Sequence, residues 1–167
     1  SLPAVSGFLI EKEFKFLGKA LENPKRPLVA ILGGAKVGSK IGVIKALLEK
    51  VDKLILGGGM VYTFYKEQGY EIGKSLYDEE SKDTAKQLLE DFNSAKAEVI
   101  FPVDTLVADK FEAGANTKVV PNDQIPADME GVDVGPKSIE LFAKEIKNAG
   151  TVVWNGPVGV FEIPDFA

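Results

Sequence analysis

Residues 28–40, LVAILGGAKVGSK, join five apolar residues to two glycines and then to two lysines four positions apart. A strand that ends in glycine and opens a lysine-bearing helix suits phosphate, because unpaired backbone N–H groups at a helix N-terminus attract anions. The spacing begins like a Walker A loop, with four residues between Gly33 and Gly38. The next two residues are Ser39-Lys40, where that motif requires Lys followed by Ser or Thr. Three readings stay open at this point: a P-loop, a different phosphate cradle, or only a tight turn. If the helix has begun by Lys36, Lys36 and Lys40 share one face and would repel each other unless an anion sits between them. Otherwise both point into water, as surface lysines do.

Two other apolar runs end in the same way. Gly57-Gly58-Gly59 follow LIL at 54–56, and Gly156 and Gly159 lie just past TVVW at 151–154. In open α/β sheets ligands bind outside the carboxyl ends of the strands, where glycine permits close backbone approach. One such site alone is equally a tight strand-to-helix turn; three can line one crevice. Glu162 and Asp165 are either polar ligand contacts or the acidic start of a helix. Trp154, last in its run, reads as core or pocket wall.

The composition narrows the chemistry. No Cys and no His occur in the 167 residues, which removes disulfides, thiol nucleophiles, Ser-His triads and nearly every zinc site. Lys, Asp, Glu and backbone must do whatever is done. The net charge of −5 argues against nucleic acid or an anionic membrane as the main partner, although a local basic pocket survives an acidic whole. Arg26 is the one arginine, so a bidentate guanidinium clamp for a small phosphorylated acid is not expected here. No apolar run approaches the ~18 residues of a membrane span, and SLPAVSGF does not read as a signal peptide, so a cytoplasmic protein is expected.

Elements that would position these residues recur along the chain. Continuous apolar runs at 28–32, 54–56, 99–101, 118–120 and 151–154 read as strands buried on both faces of a parallel sheet. Helical spacing lies between them: Ile10, Phe14, Leu17 and Leu21; Ile41, Ile44, Leu48 and Val51; Ala85, Leu88, Leu89 and Phe92; Ile139, Phe142, Ala143 and Ile146. This alternation predicts a layered α/β domain. Residues 104–135 break the rhythm, and are read as loop with some short strands beside the main sheet. NGPVGVFEIPDFA after the last run leads toward a further helix, so a cut piece of a longer chain is expected.

On these residues the chain resembles the C-terminal, nucleotide-binding domain of the phosphoglycerate kinases. GGAKV followed by K, then LILGGGMVYTF, EIGKSL, PVDTLVAD, DVGPKS and VVWNGPVGVFE occur in the family's order and approximate spacing, and together span nearly the whole chain. The resemblance implies a three-layer Rossmann-like α/β domain over residues 1–167 with a mostly parallel sheet, C-terminally incomplete, and without the N-terminal acid-binding domain. It implies reversible phosphoryl transfer between 1,3-bisphosphoglycerate with Mg-ADP and 3-phosphoglycerate with Mg-ATP. ATP or ADP and Mg2+ are then the cofactors, 3-phosphoglycerate is met through the missing domain, and the parent protein is a monomer. By position, Lys36 would stabilise the phosphoryl group in flight and Lys40 would hold the nucleotide phosphates. Gly33, Gly34 and Ala35 would lie beside the nucleotide, and Gly57, Gly58 and Leu76 would wall the adenine pocket. Asn155, Pro157 and Gly159 would lie near phosphates and sugar, with Glu162 accepting from the ribose hydroxyls.

Two departures bear on this. Many members carry an acid where this chain has Ser39, and the family continues past Ala167 to a Gly-Gly-Gly-Asp loop associated with Mg2+. The 167 residues alone are therefore expected to bind nucleotide weakly, to transfer nothing, and to self-associate or lose stability. A chain that naturally ends here and only binds nucleotide is the second hypothesis. A dinucleotide oxidoreductase is the third, disfavoured because no G-x-G-x-x-G follows a strand with an acid about 20 residues later.

Overall fold

The computed structural model describes residue 18 and residues 21–166. The helical face expected at Ile10, Phe14 and Leu17 lies outside them. Within them the chain runs β1 (Leu28–Leu32), α1 (Ile41–Leu48), β2 (Lys53–Leu56), α2 (Met60–Glu67), α3 (Lys82–Ser94), β3 (Glu98–Ile100), β4 (Asp104–Ala108), β5 (Thr117–Pro121), β6 (Glu130–Val134), α4 (Pro136–Lys147) and β7 (Thr151–Asn155). Among the described residues no helix is long and apolar enough to cross a membrane.

Four strands form a parallel sheet in the order β3-β2-β1-β7. All five residues of β1 are buried, and strict alternation divides them between two layers. Leu28, Ala30 and Leu32 join Leu54, Leu56 and Val153 against side chains of α1, α2 and α3, including Ile44, Leu47, Met60, Phe64 and Leu88. Val29 and Ile31 join Ile55 and Ile100 against Phe142 and Leu141 of α4. This is the expected three-layer α/β arrangement. Each large aliphatic side chain so enclosed contributes about 1.5–3 kcal/mol, which makes β1 the strand the layers depend on.

Two runs differ from the sequence expectation. Residues 118–120 are not part of the parallel sheet; they lie in β5, an edge of a second, antiparallel sheet ordered β5-β4-β6, where only Val120 is buried. The other four residues of β5 are exposed, as an antiparallel edge permits. In the run at 151–154 only Val153 is enclosed. Val152 and Trp154 pair with Val29 and Ile31 on the α4 side of the sheet, but α4 covers β1 to β3, so both stay exposed.

Helix α4 also presents a different face from the one its apolar spacing predicts. Ile139 and Ile146 are exposed, while Ser138 and Phe142 are buried and Glu145 is nearly so. Polar anchors at both ends set this rotation. Glu145 accepts from Lys53 Nζ on β2, and Ser138 is held by Asp104 at the start of β4. The Asp104 carboxylate accepts from the backbone N–H of Lys137 at 3.0 Å and of Ser138 at 2.9 Å, and from the Ser138 hydroxyl at 2.5 Å. It caps the N-terminus of α4 from another strand, satisfying donors a helix leaves unpaired. Burial pushes its ionisation up, but the Ser138 hydroxyl and the two backbone donors outweigh burial and leave Asp104 below the usual aspartate value.

Removing the carboxylate in Asp104→Ala orphans two N–H groups and is expected to cost about 3 kcal/mol; Ser138→Ala is expected to cost about 1 kcal/mol. Because the folded-state value is depressed, the carboxylate's contribution is complete above about pH 4 and is lost as pH falls through the folded value. Urea unfolding of the natural protein and of Asp104→Asn should therefore converge in acid. An equal gap at pH 7 and at the acid limit would refute the cap as an ionised group.

Candidate functional site

The register of the parallel sheet brings three strand ends to one level: Leu32 pairs with Leu56 on one side and with Asn155 on the other. The chain leaves each strand through glycine, and the turns touch backbone to backbone. Gly33 N–H donates to Asn155 O at 2.8 Å, Gly58 N–H to Val158 O at 3.0 Å, and Met60 N–H to Gly34 O at 3.0 Å. A side chain at Gly33 would run into the Pro157 carbonyl. At Gly58, where φ is +75°, a Cβ would lie 2.5 Å from Gly34 O and 2.6 Å from Gly34 N. No residue with a Cβ fits either place without moving a neighbouring turn.

In front of these turns lies a cavity of about 470 Å3. Of the residues singled out from sequence, Gly34, Ala35, Gly58, Leu76, Pro157, Gly159 and Glu162 line it. Gly33 and Gly57 stand behind that lining, packed on Pro157 and Val158 respectively. Asn155 accepts a 2.9 Å hydrogen bond from Lys40 Nζ. The Lys40 stem passes Gly34 so closely that a methyl group there would lie 3.1 Å from its Cε. One lysine is thus placed beside the cavity by the turns of β1 and β7.

Lys36 is placed differently from the helical expectation. It is extended, with φ −124° and ψ 135°, and precedes a single 3-10 turn at Val37–Ser39; α1 begins only at Ile41. Lys36 and Lys40 therefore do not share a helical face. The cause is local: Val37 turns fully inward, Gly38 N–H is taken by Asp78 Oδ2 at 3.0 Å, and the Ser39 hydroxyl donates back to Lys36 O at 2.9 Å. Lys36 is left exposed, next to Ala35 of the lining. Trp154 is neither core nor cavity wall; it is 60% exposed and donates to Gly156 O at 2.9 Å. Asp165 is not turned to a ligand, since it accepts from Gly114 N–H at 2.7 Å.

The opposite wall was not legible from sequence. Glu130, Gly131 and Val132 of β6 face the cavity, together with Tyr62 of α2 and Lys74. Residues 104–135 read mainly as loop, although EGVDV carries the alternation of a strand. The Tyr62 phenol end lies across Gly131, where a side chain would overlap it. Burial, then the charges of Asp133 and Glu130, push the Tyr62 hydroxyl well above the usual tyrosine value, so it stays a neutral donor. Burial likewise pushes Asp133 up, with the Val134 N–H opposing. Glu130 Oε1 is closed off from solvent and has no hydrogen-bond partner among the described residues. Apolar walls, lysines beside one set of turns and polar groups on the opposite wall suit a ligand with a flat, weakly polar part and an anionic part.

Comparison with known proteins gives one answer. The family described as phosphoglycerate kinase matches residues 1–167. A phosphoglycerate kinase of Enterococcus faecalis is 57% identical over 166 residues, covering 99% of this chain and 41% of that protein. One of Staphylococcus carnosus is 56% identical over 167 residues, covering 100% of this chain and 41% of its own length. The solved phosphoglycerate kinase of Coxiella burnetii superposes with a TM-score of 0.86 at 46% identity, over 95% of this chain and 41% of that one. That of Pyrococcus horikoshii gives 0.75 at 27% identity, over 96% and 41%. This chain thus spans about two-fifths of the length of the relatives it matches.

Gly58→Ala and Gly69→Ala separate backbone strain from collision. Both positions have positive φ, but only at Gly58 would the added carbon meet neighbouring turns. Gly69→Ala is expected to cost about 1 kcal/mol from φ alone, and Gly58→Ala at least about twice that. Equal losses in urea unfolding would mean that the turns are not in the close contact described.

Proposed function

Since the chain belongs to the phosphoglycerate kinase family, we propose that it forms the adenine-nucleotide part of an enzyme that moves a phosphoryl group between 1,3-bisphosphoglycerate with ADP and 3-phosphoglycerate with ATP. The observation that carries the proposal is Lys40: an ammonium held on Asn155, beside Gly34, at an apolar cavity large enough for a base and sugar. Lys40 holds the nucleotide phosphates, with Asn155 fixing its position. Gly33, Gly34 and Ala35 carry the backbone past them, and Gly33 does so from behind the lining. Gly58 and Leu76 bound the base, with Gly57 setting the turn beneath. Pro157 and Gly159 face the sugar, and Glu162 accepts from its hydroxyls.

Lys36 is assigned a separate role. None of the ion pairs among the described residues engages it, and it is exposed beside Ala35 of the lining. It is available to follow the phosphoryl group and offset the charge spread over its oxygens. Phosphoryl transfer relies mostly on such positioning and electrostatic stabilisation. No general base is required of these residues.

Among the described residues no group of three or more His, Cys, Asp or Glu side chains is placed to hold a metal, and the Ser39 hydroxyl is turned to Lys36 O. These side chains do not fit a protein-held Mg2+; we take the ion as the nucleotide's own counter-ion. The three-carbon acid is assigned to the part of the relatives' length that this chain does not span.

In the complete protein, Lys36→Ala is expected to lower kcat by about a hundredfold or more while nucleotide affinity changes little, since its charge acts mainly as the group moves. Lys40→Ala should raise the nucleotide KM as well. A Lys36→Ala variant that altered only KM would refute this division of roles. The 167 residues alone are expected to leave 3-phosphoglycerate and Mg-ATP unchanged, which an assay of ADP release checks.

A further inference from the structure

Lys36 and Lys40 stand two positions either side of Gly38, yet they are held by different means. The Lys40 ammonium has its own partner in Asn155. The Lys36 side chain has no ion-pair partner among the described residues, so its place is set by the turn that follows it. That turn, Val37–Ser39, is fastened at two points: the Val37 side chain is fully buried, and Gly38 N–H donates to Asp78 Oδ2 at 3.0 Å. Asp78 is itself buried, and its own N–H donates at 3.0 Å to the hydroxyl of Thr63, a fully enclosed residue of α2. A few positions earlier the same segment is tied to the antiparallel sheet: the Ser75 hydroxyl accepts from Gly131 N–H of β6 at 2.9 Å, and Lys74 N–H donates to Met129 O at 2.9 Å. Asp78 therefore meets the turn from a segment anchored on two sides. The meeting is close, since a Cβ on Gly38 would lie 2.7 Å from Ser81 Oγ.

We propose that Asp78 is a positioning residue for phosphoryl transfer: through Gly38 N–H it fixes the turn from which Lys36 reaches the moving group. The inference rests on the nucleotide reading of the site and adds to it the group that sets the place of Lys36. Asp78 is not among the residues lining the cavity, so it acts through the turn and not on the ligand. A carboxylate that accepts from a backbone N–H makes a stronger bond than a neutral acceptor does, and a buried N–H deprived of it would be left unpaired. Lys40 depends less on this bond, because Asn155 holds its ammonium from the end of β7. Loss of Asp78 therefore displaces Lys36 more than Lys40, and misplacement of a catalytic charge by about 1 Å is enough to slow turnover severely. The effect belongs to the rate of transfer and not to the hold on nucleotide.

The test is a double-mutant cycle in the steady-state kinetics of the complete protein with 3-phosphoglycerate and Mg-ATP. Asp78→Ala is expected to lower kcat at least about tenfold while the nucleotide KM moves by less than about threefold. In a Lys36→Ala background the same substitution should lower kcat by no more than about twofold, since the side chain it positions is gone. Asp78→Asn, whose amide oxygen can still accept from Gly38 N–H, should recover most of the loss. A merely structural role gives a different pattern: the two losses multiply, or KM rises while kcat is spared, and either result overturns the proposal. Should Asp78→Ala not fold, Thr63→Val takes its place, loosening Asp78 without removing it; a kcat loss of at least about threefold that vanishes without Lys36 is expected, and an undiminished kcat overturns the proposal. So does a folded Asp78→Asn as slow as Lys36→Ala. Failure of the nucleotide reading looks different: the complete protein releases no ADP, or Lys36→Ala by itself leaves kcat unchanged. That result removes the role of Asp78 along with it.

Discussion

The contact of three glycine turns, backbone against backbone, is the constraint on which the site depends. Parallel pairing puts the ends of β1, β2 and β7 at one height, and each chain must then turn away within the width of a neighbouring strand. With side chains at Gly33 or Gly58 the turns could not close on one another. Without them, Gly33 bonds to Asn155 and Gly58 to Val158, and the backbone itself becomes the floor of the cavity. The glycines act less by flexibility than by the volume they leave empty. A ligand can approach the main chain there as closely as the neighbouring turns do.

That floor needs rigid supports, and they come from two differently built sheets. The parallel sheet is enclosed on both faces only where helices reach it, so β1 and β2 are fixed by packing while β7 keeps one face in water. The antiparallel sheet supplies the opposite wall through β6. Its position relative to the parallel sheet is set partly by Asp104, which joins the start of β4 to the start of α4 through three hydrogen bonds. Apolar packing fixes one wall, and a buried polar cap helps fix the other. The distance between walls, and so the size of the cavity, depends on both kinds of force.

Much of this was legible in the sequence where one chemical requirement dominates a short stretch. Five consecutive apolar residues in β1 can only be enclosed, and glycine at three strand ends marks close approach, so the strands of the parallel sheet and most of the cavity floor are legible. Residues failed to reveal themselves where long-range contacts decide. Trp154, last in an apolar run, reads as core or pocket wall, but its exposure follows from how far α4 extends over the sheet. Ile139 and Ile146 read as an inward face, but Asp104 and Lys53 turn α4 toward Ser138 and Glu145. Lys36 and Lys40 read as a helical pair, but Val37 tucks inward and delays the helix. Tyr62 and Gly131 lie far apart in sequence and meet only because β6 is brought beside α2.

Charge is distributed to match this geometry. The chain carries a net −5, which disfavours a polyanion at long range. Screening confines that field to roughly 8 Å at physiological salt, so the lysines beside the β1 and β7 turns decide what happens once an anion is close. Lys40 is held by the neutral Asn155 and not by a carboxylate, and so keeps its charge available to a ligand. Had an acid occupied that place, the anion would have had to displace an existing ion pair. The carboxylates of the cavity, Glu130 and Glu162, come instead from β6 and from the segment after β7. On the nucleotide reading, attraction of phosphate then depends on salt, whereas enclosure by the apolar cavity walls does not.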